Sequence, residues 1–484
     1  MKRKAFLLFF VFGFMVFSKG FSIPQDSLPD DFPSLEPYIT LDFSSPNLSP
    51  KQIITAALQF SSYPAISTAD FLKYLSMYNE LEKRVTNEKF QSYSDEVKAE
   101  EVLMLMYEKT LLRYSLKQTR LTTVFDEGTY NCVSASVLYL ALAKAAGLNV
   151  IGNRAPDHCF CSVIIDGKKI DVETTNPMGF NPGEKKMLDS TKYAVVPKKM
   201  YKGRYEVSDA MLVSLVAKNI NGLQMEKKDY LSAFPISAAR LVFVANDNVS
   251  EKNDSRSDFD ITASNFSAEL QQQKRYYDSM LWLDAVVDRW GISKGLEQNY
   301  GDSIYNAILY FVSQKDFKSA SSNLASHKDF LTQKDYESLS QRIFVFETSD
   351  NAEKISSFEE KMNYLKKQKN NPLAKNKNVE KQLNQSIENT WLLKIFGLIE
   401  KEDYLGAANL CSSALEDLPD SANIKRIRQS CLNNYDAVIH NQFADYANAG
   451  KFKNAKSVLE EGLKNNPNST TLKNDMNRLN RMMR

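Results

Sequence analysis

The sequence predicts an α+β domain followed by an all-α region of helical repeats, and three observations carry that expectation. An apolar helix opens at Cys132 and stops at Gly147. Two strand-like runs flank the dipeptide Asp166-Gly167. A short aromatic phrase then recurs five times between Lys228 and Ala455. The chain of 484 residues is long enough for roughly three units of about 150 residues. With 43% hydrophobic and 25% charged residues it supplies packed cores and excludes wholesale disorder. Its 61 basic residues nearly balance 59 acidic ones, which argues against a partner bound through a basic surface, nucleic acid above all. Five cysteines and three histidines leave almost no room for a multi-imidazole or paired-cysteine metal site.

The first segment concerns delivery. Lys2, Arg3 and Lys4 precede an apolar run from Ala5 to Phe17, and Ser18, Gly20 and Ser22 satisfy the small-x-small cleavage rule. The reading is a signal peptide over 1–22, so the protein is expected to be exported, periplasmic or secreted. No later run approaches the ~20 apolar residues of a spanning helix, so no stable membrane span is expected after cleavage. Cleavage removes four basic residues, Lys2, Arg3, Lys4 and Lys19, and no acidic one, which turns the slight formal excess from +2 to negative. Residues 23–48, with Pro24, Pro29, Pro33 and Pro37, read as an extended, poorly ordered lead-in.

Residues 49–200 are expected to form the α+β domain. Ser49-Pro50 opens a helix, and a second runs from Glu96 to Leu116 on mixed three- and four-residue apolar spacings. Gly128 and Asn131 then supply turn and cap chemistry, so Cys132 falls at the first helical position. Between Val133 and Ala146 the only charge is Lys144, so this helix should cross the centre of a domain. A cysteine at that position sits at the positive end of the helix, where unpaired N–H groups favour thiolate over thiol. A partner base must separate a nucleophile from an ordinary buried cysteine.

That base is His158. Asp166-Gly167 between two strand-like runs is a strong hairpin signal. A turn centred there sets Ser162 opposite Asp171, Phe160 opposite Glu173 and His158 opposite Thr175. Alternation places His158, Phe160, Asp171 and Glu173 on one face, with Cys159 and Cys161 on the other as small buried side chains. Glu173 is the diagonal neighbour of His158, so the register selects it to orient the imidazole, with Asp171 as fallback.

Gly-x-x-x-Cys before an apolar helix ending in Gly-Leu, then a strand carrying His, then a strand ending in acid-x-Thr, resembles the transglutaminase-like superfamily of papain-related thiol enzymes. The resemblance spans Leu103 to Pro182 and implies an α+β papain-like fold. Carried over, Cys132 matches the nucleophile, His158 the general base, and Glu173-Thr-Thr175 the family's Asp-Pro-Thr segment. Glu replaces Asp here, and the aromatic residue after the histidine is Phe160. The implied activity is acyl transfer through a thioester: to water in a cysteine peptidase or amidase, to an amine in a crosslinking enzyme. The Cys132 N–H is a natural oxyanion donor. No cofactor and no metal are expected, and the substrate is a peptide or protein.

Beyond residue 200 the phrases Lys228-Asp-Tyr230-Leu-Ser-Ala233, Arg275-Tyr-Tyr277-Asp-Ser-Met280, Lys315-Asp-Phe317-Lys-Ser-Ala320, Glu402-Asp-Tyr404-Leu-Gly-Ala407 and Gly450-Lys-Phe452-Lys-Asn-Ala455 each read as a turn between antiparallel helices. Phe358 marks a sixth, degenerate copy, and Pro372, Pro419 and Pro467 stop the helices that follow. The pattern resembles the tetratricopeptide family over 201–484, although spacings of about 40 to 48 residues exceed the usual 34. The resemblance implies a protein partner bound by the repeats. Longer helices or inter-helix loops account for the excess spacing, the polar stretch from Asn246 to Ser255 reads as one such insertion, and Tyr193 to Pro197 has strand character. His327 and His440 have no metal-spaced partner, and Cys411 and Cys431 are candidates for a disulfide. The alternative reading of the whole is a non-catalytic exported scaffold or binding protein that keeps a degenerate thiol fold.

Overall fold

The computed structural model describes residues 28–41, 43, 45–182 and 193–483. The expected signal peptide at 1–22 lies outside the described residues. The chain divides into two compact units, Met1–Ala307 and Ile308–Arg484.

In the first unit α1 (Pro50–Ser61) begins where Ser49-Pro50 predicts, with Ser49 Oγ accepting from the Gln52 N–H and Gln52 Oε1 from the Ser49 N–H. It is followed by α2 (Thr68–Thr86), α3 (Glu88–Gln91) and α4 (Asp95–Lys109). The helix expected to reach Leu116 stops at Lys109. The reason is a competing ladder: β1 (Arg113–Tyr114) pairs in parallel with β2 (Thr129–Tyr130), and the Leu112 N–H donates to Gly128 O at 2.7 Å. Between those strands α5 (Leu121–Glu127) ends on Gly128 at φ +66°, a left-handed turn.

The central helix α6 spans Cys132–Ala145. Asn131 Oδ1 accepts from the N–H groups of Val133 and Ser134, and Ser134 Oγ accepts from the Asn131 N–H. Every residue from Cys132 to Ala143 is buried, and Lys144 extends to Leu48 O at 3.0 Å and to Asp209. Four antiparallel strands follow: β3 (Val150–Ala155), β4 (His158–Ile165), β5 (Lys168–Val172) and β6 (Tyr205–Val207), in the order β5-β4-β3-β6. Ser162 pairs with Asp171 and Ile165 with Lys168, the register that a two-residue Asp-Gly turn dictates. Both turn residues have positive φ, the signature of a tight hairpin matched to strand twist. Strand β6 has no counterpart in the sequence reading, and residues 194–197, expected as strand, carry none.

Helices α7 (Asp209–Glu226), α8 (Tyr230–Phe243), α9 (Val249–Gln272), α10 (Tyr276–Trp290) and α11 (Glu297–Ser313) continue the chain. Met211, Leu212 and Val216 of α7 enter the same apolar core as Leu138 and Leu142 of α6. The first unit therefore runs well past residue 200, where the sequence suggested a division. The stretch from Asn246 to Ser255, expected as an insertion of longer helix or loop, is mostly the start of the 24-residue α9. One of its charges is neutralised across the helix pair: Arg240 of α8, 1% exposed, reaches Asp254 at 2.6 Å and also pairs with Asp258 further along α9. Residues 28–41 form no helix or strand, but they are anchored. Phe32 and Leu35 are buried, Phe32 packs edge-on against Phe266 at 5.4 Å, and the Trp290 indole donates to Leu35 O.

The second unit contains α12 (Phe317–Ser326), α13 (Gln333–Glu353), α14 (Phe358–Gln368), α15 (Lys377–Ile399), α16 (Tyr404–Asp417), α17 (Ala422–Asn448), α18 (Phe452–Asn465) and α19 (Thr470–Met482). The recurring aromatic is the first residue of α8, α10, α12, α14, α16 and α18. Two residues before it, Lys228, Lys274, Lys315, Glu402 and Gly450 adopt the left-handed conformation that reverses the chain. Three residues after it, Ala233, Ser279, Ala320, Ala407 and Ala455 are buried, so the packed helices approach closely there. In the second copy the register is Tyr276 and Ser279, one residue earlier than Tyr277 and Met280, and Tyr277 is exposed. Cys411 and Cys431 are buried and unbridged.

These elements correct the expected fold class. Among the described residues about 68% are helical, and the strands form only one two-stranded and one four-stranded sheet. It is not an α+β transglutaminase-like (papain-like) domain followed by an all-α tetratricopeptide-like region. The physical reason is that helices α1, α2, α4, α6 and α7 supply most of the core in which the small sheet is embedded.

Candidate functional site

The Cys132, His158 and Glu173 side chains come together at the junction of α6 and the hairpin. His158 Nε2 lies 2.7 Å from Glu173 Oε2. The same imidazole lies beside Cys132 on the wall of one pocket, and each shifts the other's titration. Because Nε2 is engaged by the carboxylate, Nδ1 is the nitrogen left for the thiol.

Glu173 sits one residue beyond the end of β5. Its N–H donates to Gly179 O at 2.8 Å, folding residues 173–179 back on themselves. That turn requires glycine, since a Cβ at residue 179 would lie 1.9 Å from Glu173 O. Further bonds hold the segment, with Tyr107 OH donating to Thr174 O and the Ser136 and Thr174 hydroxyls 2.8 Å apart. The carboxylate is fully buried and fully partnered: Oε1 accepts from the Thr175 N–H and Oγ1, and Oε2 accepts from Tyr201 OH at 2.5 Å. Tyr201 also packs edge-on against His158 and Phe160, which limits the imidazole to one plane. The fallback acid, Asp171, is turned elsewhere. It accepts from Ser162 Oγ at 2.8 Å and pairs with Arg204.

Electrostatics favour an ion pair. The strongest influence on Cys132 is a hydrogen bond from the Cys159 thiol; burial opposes it, and the bond and charge of His158 reinforce it, so the Cys132 thiol is held well below its ordinary range. Burial alone would lower the His158 pKa, but its bonds to Cys132 and Glu173 raise it to about 10. Burial likewise pushes the Glu173 carboxyl up, and His158, Tyr201 and Thr175 outweigh that and hold it below the usual carboxylate value. Both shifts favour the thiolate–imidazolium form of the pair.

A pocket of about 640 Å³ opens over Cys132, His158 and Cys159, with Leu215, Lys218 and Gly222 of α7 on its far wall. The Asn131 cap takes the Val133 and Ser134 N–H groups and leaves the Cys132 N–H outside it. Among the described residues no three His, Cys, Asp or Glu side chains are grouped as metal ligands, and no helix is long and apolar enough to cross a membrane. His327 and His440 lie in the second unit, where their Nδ1 atoms are 2.9 Å from Asn323 O and 2.7 Å from Asp475.

Two members of the site were not singled out by the sequence reading. Cys159 was assigned to the face away from His158; that face packs on α6, which begins with Cys132, and the alternation itself held the signal. Tyr201 follows the hairpin at a distance and carries no local mark.

No family model matches the sequence, and no curated protein is similar enough to match it. Among solved structures the chain is similar to one titled "Crystal structure of menin reveals the binding site for Mixed Lineage Leukemia (MLL) protein". The two are 10% identical over 79% of this chain and 95% of that one, with a TM-score of 0.30. A score at that level supports no argument about this chain's fold or function.

Proposed function

We propose that the protein is an exported thiol hydrolase or acyl transferase acting on a peptide or protein. The observation that carries this reading is Cys132 beside His158, itself 2.7 Å from Glu173, at the floor of an open pocket. The Cys132 thiolate attacks an amide carbonyl, and the Cys132 N–H supports the developing oxyanion. The His158 imidazolium gives its proton to the leaving amine, which departs as a thioester forms on Cys132. His158, now neutral, takes a proton from water or an incoming amine, and that nucleophile releases the acyl group and restores the thiolate. Glu173 holds the ring and balances its charge throughout. The local likeness of the Cys, His and Glu-Thr-Thr motifs to transglutaminase-like enzymes agrees with this chemistry, and the helices after residue 200 are read as the surface for a protein partner.

The test is acyl capture. Purified reduced protein given a series of p-nitrophenyl acyl esters and peptide amides should release product, with an acyl adduct on Cys132 found by peptide mass mapping. Equal release by wild type and Cys132→Ala, with no adduct, would rule the reading out.

A further inference from the structure

Cys159 lies against the reactive sulfur. Alternation along β4 points Cys159 and Cys161 at α6, where Cys161 Sγ is 3.5 Å from Ser136 O and Cys159 Sγ is 3.9 Å from Ser136 Oγ. Ser136 is one helical turn after Cys132 on the same face of α6, so the strand thiols lie along the helix face that begins with Cys132. Cys159 is the nearer of the two: it borders the same pocket as Cys132, and its thiol and backbone N–H favour the charged form of the Cys132 sulfur. Access is graded. Both cysteines border the pocket, but Cys132 is 9% exposed and Cys159 only 1%. A reagent entering the pocket meets Cys132 first, and whatever it leaves there is presented to Cys159 from behind.

Building on the reading of Cys132 as the reactive thiolate, we propose that Cys159 is its resolving thiol, so that a small-molecule disulfide closes a reversible Cys132–Cys159 bond and shuts the site. In the first step the Cys132 thiolate attacks one sulfur of the disulfide, forms a mixed disulfide and expels one thiolate, which takes the proton of His158. In the second, Cys159 gives its proton to the vacated imidazole, and its sulfur attacks the Cys132 sulfur. The protein disulfide forms, and the second small thiolate leaves with that proton. Two protein thiols are thereby oxidised as one disulfide is reduced to two thiols, and a dithiol reductant reverses the exchange. The order is enforced electrostatically. While Cys132 is a thiolate, its hydrogen-bonding pull, then burial, then its charge hold the proton on Cys159, and capping Cys132 removes the first and the last of these. Cys161, Cys411 and Cys431 have no such neighbour among the described contacts with Cys132.

The experiment treats reduced full-length protein with glutathione disulfide, quenches with acid and maps cysteine peptides by mass spectrometry. Wild type should yield a Cys132–Cys159 linked peptide, lose iodoacetamide labelling at Cys132 and regain it after dithiothreitol. Cys159→Ser and Cys159→Ala should both stop at glutathionylated Cys132. Stable glutathionylation of Cys132 in wild type, or a bond from Cys132 to another cysteine, would overturn the resolving role while leaving Cys132 reactive. Absence of any adduct or bond at Cys132 in all three proteins would overturn the reactive thiolate and this proposal with it.

Discussion

Glu173 meets His158 at 2.7 Å from a position one residue past the end of its own strand. The ladder of β4 and β5 closes at Cys161 opposite Val172, so neither partner of this bond is held by strand pairing to β5. What places the carboxylate is the back-folded turn to Gly179 and the donors that converge on its two oxygens. The pair is a product of loop packing as much as of the hairpin.

Tyr201→Phe removes the 2.5 Å donor to Glu173 Oε2 and nothing else from the hairpin. A buried carboxylate oxygen one donor short costs about 1 to 3 kcal/mol. Chemical denaturation should report a loss in that range.

Gly179→Ala should be more severe. Its Cβ would overlap Glu173 O at 1.9 Å, and the obstructing atom is backbone, which cannot swing aside. The turn must open, releasing Glu173 from His158. Thermal melting should show a destabilisation of roughly 3 kcal/mol or more, at the upper end for single substitutions.

The ion pair imposes a definite pH signature on stability. His158, raised from 6.5 to about 10, contributes stability that is complete below 6.5 and is lost as pH rises toward 10. Cys132, lowered from 9.0, contributes stability that is complete above 9.0 and is lost as pH falls toward its lowered value. Where the two ranges overlap, between the lowered Cys132 value and 9.0 and above 6.5, the two slopes oppose each other and the pair's contribution is flat. Above 9.0 only the loss from His158 remains. Melting temperatures of wild type should therefore hold level across that window, whereas Cys132→Ala, which keeps His158 beside Glu173, should decline from about pH 6.5 upward.

What could be read from the sequence was what local chemistry dictates. The Asp166-Gly167 turn fixes the hairpin register as far as Cys161 opposite Val172, which brings the chain to the residue before Glu173. Asn131 and Ser134 form a reciprocal cap, which puts Cys132 at a helix start. The unread parts depend on partners far along the chain. Asp254 leaves helix or loop open in its segment until buried Arg240 neutralises it across α8 and α9, with Asp258 further along. Lys144 and Asp209 tie α6 to α7, so the first unit extends where composition suggested a boundary. Cys159 lay on a face whose cover, α6, could not be assigned from β4 alone, and Tyr201 reaches Glu173 through a segment with no periodic signal.

The measurement that bears most directly on the central claim is the pH dependence of iodoacetamide labelling at Cys132, followed beside Cys411, whose thiol burial pushes up to about 11. The account predicts that wild-type Cys132 keeps its full rate into mildly acidic solution, where Cys411 is inert, and that His158→Ala moves the Cys132 midpoint upward and slows labelling at pH 6 by about 100-fold. A Cys132 rate that climbs only in alkaline solution, in step with Cys411 and unchanged in His158→Ala, would contradict it.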